Sequence, residues 1–202
     1  MLKTMKTPLA QFFMILAMIG LLSWIGPQEK SLGTNVRIVY LHGAWVLTAE
    51  FAFLAAALVG LVGLLRRDPR AHTWSRALGR TGTCFWVTYL PLSLWAMQSN
   101  WNGLFLSEPR FRLALIFAVT AVLLQVGLWL FNTPWLTSLA NILFILTLRV
   151  VFASASYIMH PPPSPIFNSG NAFLIAYFIL LNLLTWVAAF FVTRAWLSTD
   201  HH

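Results

Sequence analysis

Apolar residues run through this chain in long blocks, and polar residues gather in the gaps between them. Six blocks stand out, at about 9–25, 38–65, 83–98, 113–131, 136–157 and 172–196. A helix needs roughly 20 predominantly apolar residues to cross the hydrocarbon core of a bilayer. Six such helices with short connections use up all 202 residues. The pattern predicts an all-α integral membrane bundle of six transmembrane helices, one membrane domain over 1–202, with no separate soluble domain.

The gaps refine the picture. Lys3 and Lys6 precede the first block, as in a signal peptide, but SWIGPQEK after it holds no small-x-small cleavage site. The block reads as an uncleaved span with Trp24 at the interface, a cleaved signal being the alternative. The second block is the longest, is interrupted only by His42 and Glu50, and stops at Arg66 and Arg67. The third contains Pro91, which membrane helices tolerate when neighbours satisfy the freed carbonyl. NTPW reads as a tight turn between the fourth and fifth blocks. After the fifth, HPPPSPIFNSGN begins at His160 and holds too many prolines to be helix throughout.

Composition supports the membrane reading. The chain is 59% hydrophobic and 9% charged, where soluble domains are about a quarter charged. Its net charge of +8 would suggest nucleic acid in a soluble protein. Here the excess follows topology. The stretch RRDPRAHTWSRALGR carries Arg66, Arg67, Arg70, Arg76 and Arg80 and is expected as a cytoplasmic loop. With both termini inside, eight lysines and arginines lie on the cytoplasmic side and Lys30, Arg37, Arg110 and Arg112 outside. This predicts an N-in, C-in protein of the inner or plasma membrane with no nucleic-acid partner; an anionic-lipid role for the arginine stretch is the alternative. The single cysteine, Cys84, excludes an intrachain disulfide and covalent haem attachment through C-x-x-C-H.

No phosphate loop, nucleophile triad or metal-type cysteine cluster is present. That argues against ordinary hydrolases, nucleotide enzymes and ATPases, and for handling a group rather than making bonds. Two histidines draw attention instead. His42 and His160 each lie at the outer end of a span, and neutral imidazole is a usual axial ligand of haem iron. They could grip a non-covalent b-type haem between them, or simply hydrogen-bond at the interface. Glu50 lies about 12 residues, roughly 18 Å, into the second span, and Arg149 about 8 residues into the fifth. Charges at such depth usually pair or line a cavity. A structural ion pair is the first reading; a propionate partner for Arg149 or a proton-active Glu50 is the alternative. Trp95 and Trp101 bracket the loop after the third span, either as part of an aromatic belt or as an apolar shelf for a planar macrocycle.

These residues resemble the CcmC/CcsA group of haem-handling membrane proteins of cytochrome c maturation. The CcmC branch has six spans with both termini inside. Its second span opens with a Tyr-x-His-x-x-x-x-Trp type motif; here Tyr40, His42 and Trp45 follow it with one or two residues fewer before the tryptophan. The group's loop between spans three and four reads W-G-x-W-W-x-W-D-x-R and falls without gaps on Trp101 to Arg110. Trp101 and Arg110 keep the first tryptophan and the arginine, and Glu108 replaces the aspartate. Asn102 replaces the glycine, and Leu104, Phe105 and Ser107 replace the other tryptophans. A second histidine follows span five in the family, where His160 stands. The resemblance implies that His42 and His160 are axial ligands of haem b, with Trp45, Trp95, Trp101 and Glu108 about the macrocycle and Arg110, Arg112 or Arg149 neutralising propionates. It implies a haem chaperone, ABC-exporter-type subunits and small membrane proteins as partners. A haem-carrying or structural subunit of a respiratory or photosynthetic membrane complex is the alternative.

Overall fold

The computed structural model describes residues 7–159 and 165–199. Among them are six α-helices and no strand: α1 (Pro8–Trp24), α2 (Val36–Arg66), α3 (Pro69–Trp101), α4 (Pro109–Phe131), α5 (Pro134–Ser154) and α6 (Ala172–Thr199). A short 3-10 turn, Phe167–Ser169, precedes α6. Four of them, α2, α4, α5 and α6, are long and apolar enough to cross a membrane. The 17-residue α1 is apolar but shorter, and α3 owes its length to a polar first half.

Proline opens α1, α3, α4 and α5 within the first two helical positions. Its fixed φ suits helix and its missing N–H would have had no partner there. Side-chain oxygens of Thr7 and Asp68 accept N–H groups of the first turn of α1 and α3. At the other ends, Arg67, Asn102 and Asn132 turn the chain with φ near +50°. Between α1 and α2, Glu29 organises a small turn. Its carboxylate accepts the Ser31 hydroxyl and the amides of Ser31 and Leu32, and these bonds hold its pKa below the usual carboxylate value.

One connection differs from expectation. The stretch from Arg66 to Arg80 is not a loop, and the third span does not begin at 83. The turn is confined to Arg67 and Asp68, and from Pro69 the chain is helix without a break through Pro91 to Trp101. Hydropathy ends at the arginines, but helix does not: arginine is a good helix former, and Asp68–Pro69 is a strong start signal. His72, expected in that loop, is instead a buried residue of α3.

This continuous α3 makes a long antiparallel hairpin with α2, the centre of the molecule. α5 and α6 both pack on the hairpin but not on each other, so they cover different sides of it. α4 backs α3 and α5, and α1 backs α6. Small residues let the central pair close up. A Cβ at Gly60 would stand 2.8 Å from Ser75 Oγ, and one at Gly82 would stand 2.6 Å from Phe53 Cδ1. Lipid tails give helices no hydrophobic reason to associate, so close packing and interhelical hydrogen bonds must do it. Accordingly, Thr48 donates to Thr185 at 2.7 Å, linking α2 to α6. Thr81 and Thr193 meet at 2.9 Å between α3 and α6. Between α3 and α5, Asn141 Nδ2 donates to the Ser75 carbonyl at 2.9 Å, and His72 Nδ1 meets Ser138 Oγ at 2.7 Å.

Candidate functional site

The candidate residues gather toward the end of the bundle where α2 begins and α3 ends. Asn35 Nδ2 donates to the Ser99 carbonyl at 2.7 Å and ties the two helices together there. Deeper in the same seam, the half-buried His42 ring lies 5.5 Å from that of Tyr89, on α3. Trp45, one turn on, is buried, and its indole N–H donates to Thr88 Oγ1 at 2.8 Å. Trp95 is exposed on α3. Trp101 ends that helix and packs edge-on against Phe105, with centroids 5.9 Å apart.

The connection between α3 and α4 turns back through the left-handed Asn102 and leads to Glu108, the residue before α4. Glu108 is only 2% exposed. Its carboxylate accepts the amide of Met159 at 2.8 Å and that of Ile158 at 3.1 and 3.2 Å to its two oxygens. An unpaired buried carboxylate would be costly, and backbone N–H groups remove that cost. Two turn-like segments, distant in sequence, are thereby joined: the one between α3 and α4 and the one that follows α5. Next to this latch, the Arg110 guanidinium sits 5.6 Å over the Tyr157 ring. Its Nε is buried and has no acceptor.

Glu50 and Arg149 pair at 2.8 Å across α2 and α5. The structural ion-pair reading therefore describes the contact these two side chains make. The pair lies at the edge of the bundle: the Arg149 side chain is 61% exposed and that of Glu50 21%. His160 lies outside the described residues. Among those described, no three His, Cys, Asp or Glu side chains gather as a metal site.

The structure thus brings Glu108 and Arg110 together with residues 157–159, and Trp101 with its own loop. It directs Trp45 into the α2–α3 seam and leaves Trp95 on the surface. Tyr89 and Tyr157 were not singled out from sequence, since one aromatic among many carries no signal until the partner helix is in place. Nor was the His72–Ser138 and Ser75–Asn141 cluster, because its first half was read as loop.

A haem bound here would need imidazole nitrogen for the iron and cationic donors for its carboxylates. Among the described residues, His42, half-buried in the seam, could supply one imidazole nitrogen, and Arg110, with a buried N–H that has no acceptor, could face a carboxylate. Compared with protein-family models, with curated proteins and with solved structures, the chain matches none.

Proposed function

We propose that this chain is a haem-binding membrane protein of cytochrome c maturation, holding or presenting haem between His42 and His160. In this reading all six helices cross the membrane with both termini in the cytoplasm, and the His42 end faces outward. The observation that carries it is the latch at Glu108, which secures the backbone of Ile158 and Met159 directly before His160. Arg110 stands beside it with an unmet buried donor. His42 and His160 would supply neutral imidazole nitrogens, and Arg110 would face a propionate. Haem, when bound, is either the cargo to be handed on or a one-electron carrier. The expected partners are a haem chaperone and ABC-exporter-type subunits.

A second reading has its own support. A charged pair at the edge of the bundle, with Arg149 largely exposed, is costly against lipid and would suit a face covered by another subunit. On that reading the chain is a haem-carrying or structural subunit of a larger membrane complex.

The test is a reduced-minus-oxidised optical spectrum of the purified protein, with pyridine haemochrome quantitation. About one b-type haem per chain, lost in His42→Ala and in His160→Ala, is the expected outcome. Unchanged haem content in both variants would remove the ligand assignment. Stoichiometric co-purification with a respiratory or photosynthetic complex would favour the subunit reading.

A further inference from the structure

The arginine stretch does more than mark one side of a membrane. Arg76 and Arg80 are four residues apart on α3, so they project from the same helix face. Both line a cleft of about 390 Å³ whose other wall is the end of α4: Trp129, Leu130 and Asn132. At about 30 Å³ per water, that space holds roughly a dozen waters, enough for a phosphate group and its first substituents. Arg80 also lies over the Trp196 ring, its guanidinium carbon 5.4 Å from the ring centroid. Arg76 makes no ion pair with any described residue.

The cleft adjoins exposed apolar surface. Trp129, Leu130 and Phe131 are all strongly exposed, and Val119, Leu123, Val126 and Leu130 form an exposed apolar stripe at helical spacing along α4. Two guanidiniums at the head of an apolar stripe match one class of ligand. Planar arginine donors suit phosphate oxygens, and an apolar stripe suits an acyl chain. We infer that Arg76 and Arg80 bind the phosphate of an anionic phospholipid whose acyl chain lies along α4.

Native mass spectrometry of the full chain in detergent tests this by titration with phosphatidylglycerol, phosphatidylcholine and inorganic phosphate in turn. The wild type should retain phosphatidylglycerol in preference to phosphatidylcholine. Arg76→Gln and Arg80→Gln should each weaken retention by about tenfold, the loss of one charge-assisted hydrogen bond. Arg76→Lys should lie between, keeping the charge without the fork. Arg70→Gln, exposed and away from the cleft, should retain lipid as the wild type does. Unchanged helix content by circular dichroism confirms that each variant is folded; if a Gln variant is not, Arg76→Lys and the lipid comparison on the wild type decide. Equal retention of both lipids, wild-type retention in folded Gln variants, or equal displacement by inorganic phosphate would each overturn the inference.

Discussion

Glu108 shows how much a single side chain can organise. A lone glutamate in a polar connection gives no hint from sequence of where its carboxylate goes. In the folded chain it accepts the Ile158 and Met159 amides and holds the segment after α5 against the start of α4. Glu108→Ala leaves two amides without their acceptor, at a cost of about 1–3 kcal/mol. Hydrogen exchange at Ile158 and Met159 should accelerate accordingly, while exchange in the α2–α3 seam stays unchanged. Uniform exchange across both regions would show that the latch holds nothing in particular. Glu50 and Arg149 teach the opposite lesson. Two lone charges in apolar blocks point to each other from sequence alone, because each is too costly to leave in hydrocarbon unpartnered.

At the scale of helices, what matters is how closely two of them can approach. Gly60 and Gly127 look alike on paper, each a glycine inside an apolar helix. A methyl at Gly60 would meet Ser75 Oγ at 2.8 Å and the Ser138 backbone at 3.2 Å, whereas one at Gly127 meets nothing within 4 Å. Gly60→Ala should therefore destabilise by about 1–3 kcal/mol through overpacking. Gly127→Ala should be neutral or stabilising by up to about 1 kcal/mol through helix propensity. Thermal unfolding of both variants in the same detergent checks the sign of each. Helix boundaries were legible where long apolar blocks end at polar residues or prolines: 8–24 for an expected 9–25, 36–66 for 38–65, and 109–131 for 113–131. They were not legible at α3. There, Ala71, Ser75 and Gly79 form a small-residue face that packs inward, and the arginines occupy other faces. A count of hydropathy averages the faces and reads the whole stretch as polar.

At the scale of the whole molecule, the two ends of the bundle divide the chemistry. One carries the arginines and the inferred lipid cleft; the other carries His42, the Glu108 latch and Arg110. Charge distribution across the connections predicts that the arginine end is cytoplasmic. In a Cys84→Ser background, Lys30→Cys should react with an impermeant maleimide from outside intact cells, and Arg70→Cys only after permeabilisation. The reverse pattern would invert the orientation and place the histidine end in the cytoplasm.

Sequence by itself determined that this is an all-helical chain with spans of membrane length, which charges must pair at depth, and where two histidines stand relative to apolar segments. Those features depend on the bilayer acting on each segment separately, so they can be read along one dimension. Only the tertiary structure decided that α3 is continuous and central, that His72 is buried against Ser138, that Trp45 bonds to Thr88, and that Glu108 secures the chain before His160. Each of these depends on which face of a helix meets its neighbour and on contacts between residues up to 66 positions apart. That information is set by packing, where a methyl's width at a glycine or one hydrogen bond between distant loops chooses among arrangements of equal hydropathy.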